Sequence, residues 1–143
     1  MTDDSQVPVV ICELPSGVMD CPAYAADIAT VGTVVRISAN RTVRAIATSD
    51  SEATVRTALG RITKPFNTGD DNVVPVQTPW KRLEKFVAGG TVTYGEYVKY
   101  EYGTGALNGQ VITWTPGTDD EDQIVGQVWY GGVDGGTVEV FTR

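Results

Sequence analysis

Two halves of the sequence repeat one another, and this repeat constrains the fold more than any other feature. Residues 32–78 align with residues 95–142, and both segments open with glycine, a valine three positions later and a basic residue. The matched pairs are Gly32/Gly95, Val35/Val98, Arg36/Lys99, Gly60/Gly126, Ile62/Val128, Gly69/Gly135, Val74/Val138, Val76/Val140 and Thr78/Thr142. Self-similarity at this length is typical of a duplicated structural unit. The repeat therefore indicates a scaffold and favours a structural role.

Each half contains short runs of alternating apolar and polar residues that are separated by turn residues, a pattern that predicts β-strands. Residues 97–102 predict a half-buried strand in which Val98, Tyr100 and Tyr102 face the core. The segment 38–41 predicts a reversal between strands at 34–37 and 42–47. With about eight such strands in all, we expect an all-β fold, a compact barrel or sandwich-like domain built from two related β units.

The predicted organisation has four segments: an N-terminal arm or hairpin (1–28), β unit one (29–78), a short helical linker (79–90) and β unit two (91–143). The linker has proline at its start, two glycines at its end, and Leu83, Phe86 and Val87 at helical spacing. Residues 49–59 are interpreted as a loop running into a strand, since their β-branched residues weaken a helix there. We expect the two units to form one compact domain.

The charge and the residue inventory argue against several functions. A net charge of −7 lacks the basic excess that nucleic acids and anionic membranes attract. The chain contains no histidine, so Ser-His-Asp and Cys-His catalysis are excluded. We expect no enzyme activity, no cofactor and no metal, and we interpret the acidic run 119–122 as a solvated loop, because it lacks the ligand spacing of an EF-hand.

Compartment and redox state follow from the N-terminal region. That region has no basic segment followed by an apolar one, so we expect synthesis in a cytoplasm without a secretory signal. Cys12 and Cys21 flank a turn at 15–17 that could join two strands of a hairpin. Two interpretations stay open: a disulfide that closes a small loop, and two reduced cysteines packed as small apolar residues, which we favour.

One predicted strand, at 124–130, is apolar on both faces. Ile124, Val128 and Tyr130 share one face, while Val125 and Trp129 lie on the other. Such a strand is either sandwiched within the chain or lies at an interface between subunits. We therefore name Val125, Trp129 and Phe141 as candidates for subunit contact, with core packing as the alternative.

The C-terminal third supports a resemblance to a known family. The segment GEYVKYE, followed at a distance by IVGQVWYGGVDGGTVEVFTR, resembles the capsid decoration proteins of tailed phages. The resemblance implies a small β-rich protein on the outside of the virion, commonly a homotrimer, that is made in the host cytoplasm and cements neighbouring major capsid proteins. The N-terminal 28 residues have no counterpart in the family pattern.

The resemblance also implies how the shell is contacted. In several decoration proteins an N-terminal arm binds the capsid, which makes the extended segment 2–10 the candidate arm. Its candidate capsid-binding residues are Thr2, Val7, Pro8, Val9 and Val10. The alternative function is a carbohydrate- or cell-surface-binding β module, in which exposed Trp80, Trp114 or Trp129 would stack on sugars.

Overall fold

The computed structural model describes residues 9–23, 31–64, 73–102 and 109–143, and their regular structure is almost entirely β. The strands are β1 (Val9–Glu13), β2 (Val18–Pro22), β3 (Val34–Ala39), β4 (Thr42–Ala45), β5 (Ala58–Ile62), β6 (Val73–Gln77), β7 (Arg82–Ala88), β8 (Tyr97–Tyr100), β9 (Gln110–Thr113), β10 (Gly126–Tyr130) and β11 (Thr137–Thr142). One turn of α-helix, α1 (Glu52–Val55), and a 3-10 turn at Glu121–Gln123 accompany them. The prediction of an all-β compact domain is confirmed.

The order of the strands repeats in the two sheets. One sheet runs β2-β6-β5-β3-β4, and the other runs β7-β11-β10-β8-β9 with β1 added beside β7. The second sheet closes into a barrel through a parallel pairing of β7 with β9, at Ala88 and Val111. A parallel bridge between Ala23 and Val43 stands at the equivalent place in the first sheet. Unit one is therefore β2–β6 and unit two is β7–β11, each beginning one strand earlier than the sequence repeat indicated.

Two glycines show how closely the units correspond. Gly60 in β5 lies opposite Val35, and Gly126 in β10 lies opposite Val98. A Cβ atom on either glycine would overlap a backbone carbonyl oxygen, that of Gln77 or of Phe141. The neighbouring strand approaches so closely that only glycine fits, which explains why the sequence repeats it at both positions.

The interior consists of two apolar clusters. The first fills unit one and continues into the seam between the units; its members include Ile37, Ile62, Val76, Trp80, Leu83, Trp129 and Phe141. The second fills the barrel of unit two and includes Phe86, Ala88, Val98, Val111, Val128, Val138 and Val140. Strand β7 lies between them, so its opposite faces bury Leu83 in one cluster and Phe86 in the other.

That position of β7 overturns the helical linker. Residues 82–88 form a strand rather than the predicted helix. Their apolar side chains follow no clean period of two because the strand is buried on both faces, and the spacing of Leu83, Phe86 and Val87 then imitates a helix. Conversely, the segment interpreted as loop and strand does contain one helical turn, α1, capped by the Ser51 hydroxyl, which accepts from the Thr54 amide at 3.2 Å.

The predicted N-terminal hairpin also needs correction. A turn does form after β1, where the Gly17 amide donates to the Leu14 carbonyl at 2.9 Å. However, β1 pairs with β7 and β2 pairs with β6, so the two strands flanking the turn enter different sheets. Both cysteines are free thiols, Cys21 buried and Cys12 half-buried, in agreement with the reduced interpretation. Burial raises the pKa of the Cys21 thiol to about 12.

Candidate functional site

Unit two covers one end of unit one. At that end Ile37 and Leu59 are 0% and 2% exposed, and they belong to the same apolar cluster as Trp129 and Phe141. The rings of Trp129 and Phe141 lie 5.2 Å apart between their centroids and project from β10 and β11, away from the core of unit two. The aromatic outer face of unit two therefore caps unit one.

This cap explains the strand that is apolar on both faces. Trp129 and Phe141 are 2% and 0% exposed, so they lie in the interior of the chain and offer no surface for a subunit contact. For Trp129 and Phe141 the prediction of a subunit contact is therefore wrong, and the alternative, core packing, is correct. Val125, the third candidate, stays partly exposed and packs against the core of unit two.

A buried glutamine joins the two units in the seam. Gln127 is 1% exposed, and its amide group donates to the carbonyl oxygens of Ala58 at 3.1 Å and Gly95 at 3.2 Å. Its side-chain oxygen accepts a hydrogen bond from the indole nitrogen of Trp80 at 3.1 Å. A buried amide is stable only when its donors and acceptor are satisfied. Here the partners come from unit one, from unit two and from Trp80 in the segment between β6 and β7.

The β3–β4 hairpin of unit one also contacts unit two. The Gly131 amide donates to the side-chain oxygen of Asn40 at 2.9 Å. Arg41 forms a two-pronged ion pair with Glu139, and its guanidinium carbon lies 4.4 Å from the ring centroid of Tyr130. Arg41 adopts a φ of 57°, so the residue holds a strained turn conformation in order to make these contacts.

The corresponding end of unit two is uncovered within the described part of the chain. Tyr100 takes the place of Ile37 and is 53% exposed, while Val125 takes the place of Leu59. The depression there has a volume of about 380 Å³ and is lined by charged, polar and apolar side chains: Arg82, Glu84, Phe86, Tyr100, Ile124, Val125, Thr142 and Arg143. We call this depression the open end of unit two. The sequence placed Tyr100 and Tyr102 in the core, which is wrong because their side chains are 53% and 75% exposed.

Strand β1 borders that open end. Val10 lies opposite Glu84, and a bulge follows it, so that Ile11 has no partner in β7. Val10 and Ile11 are 43% and 40% exposed. Among the described residues β1 has no strand on its outer side, which makes it a free edge with apolar side chains. Of the capsid-binding candidates, Val9 and Val10 are placed in this strand, whereas Thr2, Val7 and Pro8 lie outside the described residues.

A row of aromatic rings follows the seam. The ring centroids of Trp80 and Tyr97 are 6.4 Å apart, and those of Tyr97 and Trp114 are 5.9 Å apart. The Tyr97 and Trp114 planes meet at 87°, so the rings pack edge to face and form no flat platform. Burial raises the pKa of the Tyr97 hydroxyl. Of the three tryptophans considered for sugar stacking, only Trp114 is more than marginally exposed.

In the acidic segment 119–122, Asp119 is held by hydrogen bonds to its neighbours. Asp119 accepts from the Lys99 ammonium at 2.7 Å and from the Thr115 amide at 2.8 Å, and these contacts lower the pKa of its carboxyl group. Across the described ranges, no three histidine, cysteine or acidic side chains group closely enough to hold a metal ion.

Comparisons with known proteins add no relative: no protein-family model matches the chain, and no curated protein matches it. No helix among the described residues has the length and apolar character needed to cross a membrane. Sequence reasoning missed the open end of unit two altogether. The signal that could have found it is the repeat itself, since aligning Ile37 with Tyr100 pairs an aliphatic core residue with an amphipathic one.

Proposed function

We propose that this chain is a structural virion protein that binds the outer surface of a phage capsid and stabilises contacts between major capsid protein subunits. The observation that carries the proposal is the unrepeated strand β1. It adds to a duplicated scaffold an edge that no other described strand covers, with Val10 and Ile11 exposed, at the end of the segment that the family resemblance implies as the arm. Apolar side chains on a free edge are a common feature of protein interaction sites.

The scaffold suits a cementing role. Two units locked by the Gln127 network and by the Arg41–Glu139 ion pair present a fixed surface, so little conformational entropy is lost when that surface binds. A protein that binds the assembled shell and not free subunits stabilises the shell by mass action. The chain has a net charge of −7, which keeps a densely coated particle soluble.

The partners in this proposal are the major capsid protein and other copies of the chain, as a homotrimer on the virion exterior. The proposal includes no catalytic activity, cofactor, nucleic acid or membrane. It also assigns the chain to the host cytoplasm before assembly, as the family resemblance implies.

A carbohydrate-binding module is the second candidate, favoured by the half-exposed Trp114 beside Tyr97. Sugars stack on an aromatic face, however, and these two rings stand nearly perpendicular. Trp80 and Trp129 are 5% and 2% exposed, so neither extends the row to solvent. The geometry therefore supports this function less well than capsid binding.

The test is co-sedimentation of the purified chain with expanded and unexpanded empty shells of the phage, with the bound stoichiometry measured. We expect saturable binding that Val10→Asp and Ile11→Asp weaken, because each variant places a charge in the apolar contact. Val34→Asp is the matched control, since Val34 is 42% exposed but lies in unit one. A chain that ignores both kinds of shell yet is retained on a glycan column would refute the proposal.

A further inference from the structure

The outer face of strands β4, β3 and β5 in unit one is basic. Arg36 lies directly opposite Arg44 in β4, and Val34 lies directly opposite Arg61 in β5. Val34, Arg44 and Arg61 are exposed, and the Arg36 side chain is 23% exposed. We call these four residues the arginine face. Two like charges directly opposite one another destabilise a pair of strands, so this arrangement favours an anionic partner.

Unit two contains the equivalent position with its charge balanced. There Lys99, the equivalent of Arg36, contacts the Asp119 carboxylate at 2.7 Å. In unit one Asp50 has the corresponding place, but it lies 3.9 Å from the Nε atom of Arg36, which is beyond hydrogen-bond distance. Each of the two carboxylates also accepts a hydrogen bond from a backbone amide of its own loop. Both units thus supply one carboxylate for this basic residue.

Two differences between the units give unit one additional positive charge. Arg44 takes the place of Ile112 in β9. Arg61 takes the place of Gln127, which unit two buries in the seam. Residues 31–64 accordingly include six basic and two acidic residues, a net charge of +4, whereas the rest of the chain carries −11. A chain that is acidic overall therefore concentrates its positive charge on unit one.

Unit two carries the complementary charge. Asp120, Glu121 and Asp122 are exposed, and none of the three forms an ion pair within the part of the chain that the structure describes. The Trp114 indole donates to the Asp120 carbonyl at 2.9 Å and so fixes the loop that presents these carboxylates. A fixed loop loses little conformational entropy when it binds a partner.

We infer that the arginine face binds the acidic segment 119–122 of a second copy of this chain. Guanidinium groups pair strongly with carboxylates, and every copy carries both surfaces. The contact is head-to-tail, because unit one of one copy meets unit two of the next, and such contacts close into a ring when the rotation between copies permits. The inference rests on the self-association in the proposed function and deepens it, because it assigns that contact to two named surfaces.

The test reverses the charges of each surface and measures self-association by analytical ultracentrifugation. One variant combines Arg44→Glu with Arg61→Glu, and another combines Glu121→Lys with Asp122→Lys. We expect each to weaken self-association by at least about tenfold, because like charges then face one another. A variant with all four substitutions should associate as the unaltered chain does, since its two surfaces are complementary again.

Two further variants serve as controls. Lys81→Glu combined with Lys85→Glu makes the same change in net charge at exposed lysines outside both surfaces, and it should leave self-association unchanged. Arg44→Gln combined with Arg61→Gln removes the charge without reversing it, so its loss should be smaller than that of the glutamate variant. Circular dichroism spectra that match the unaltered chain establish that each variant is folded.

The outcomes separate the inference from the proposed function. If the unaltered chain is monomeric yet sediments with shells, the inference falls and the capsid function stands. If it associates and the folded reversal variants associate equally well, the copies meet elsewhere and the inference is refuted. If it associates as inferred but binds no shell, the capsid function falls alone. If the arginine reversals abolish shell binding and leave self-association intact, the arginine face binds the capsid protein, and the assignment to a second copy is overturned.

Discussion

Replacing Gln127 should destabilise the chain more than its single polar side chain suggests. The Gln127→Ala variant loses three buried hydrogen bonds, to Trp80, Ala58 and Gly95. At a net value of about 1 kcal/mol each, these bonds account for about 3 kcal/mol of the free energy of unfolding. The cavity left by the truncated side chain adds about 1 kcal/mol, for a total of about 4 kcal/mol.

Urea denaturation measures this loss, and a thermal melt should show a fall of about 12 °C, at about 3 °C per kcal/mol for a chain of this size. Gln127→Met keeps most of the volume, so it should lose about 3 kcal/mol, the hydrogen-bond part alone. Gln77→Ala is the matched control: Gln77 is exposed, and its replacement should change the free energy of unfolding by less than about 0.5 kcal/mol.

A double-mutant cycle isolates the contact across the seam. Trp80→Phe removes the indole donor, so its combination with Gln127→Met should show a coupling free energy of about 1 kcal/mol. A loss below about 1 kcal/mol for Gln127→Ala, or a cycle without coupling, would refute the view that this network holds the units together.

Three further outcomes follow from other contacts. Arg41→Gly should be more stable than Arg41→Ala by about 1 kcal/mol in urea denaturation, because glycine accepts the φ of 57° without strain while both variants lose the ion pair. Because the pKa of Asp119 is lowered in the folded chain, its carboxylate stabilises the fold above the ordinary carboxyl range near pH 4, and this contribution is lost as the pH falls further. In Asp119→Asn the free energy of unfolding should therefore fall less steeply with decreasing pH on the acid side, as urea denaturation at several pH values can show. Cys21, with a pKa of about 12, should react with a thiol-specific reagent only on unfolding, whereas the half-buried Cys12 reacts slowly in the native chain, as mass spectrometry can show.

The duplication was predictable because it depends on local requirements that both copies share. Gly32 and Gly95 precede equivalent strands with φ of 88° and 83°, a conformation that favours glycine. Gly60 and Gly126 are fixed by the close approach of the neighbouring strand. The backbone geometry at these positions requires glycine. The repeated glycines in the sequence therefore predict that the structure is repeated as well.

The first strand of each unit could not be found in the same way. Equivalent positions in β2 and β7 carry Met19 and Glu84, or Asp20 and Lys85, because β2 faces one core while β7 lies between two. Packing across the whole fold decides those residues, and local spacing does not contain that information. The open end of unit two was missed for the same reason: Tyr100 alternates as a core residue does, yet its side chain stays 53% exposed.

Strand β1 has a consequence for the order in which the chain acquires its structure. It precedes unit one in sequence, yet its hydrogen-bond partners in β7 follow roughly 70 residues later. During synthesis the strands of unit one leave the ribosome before those partners exist, so unit one can assemble while the N-terminus is still unpaired. Strand β1, which contributes to the proposed shell contact, is therefore placed only after unit two begins to form. A chain truncated before Arg82 lacks β7, the strand with which β1 pairs.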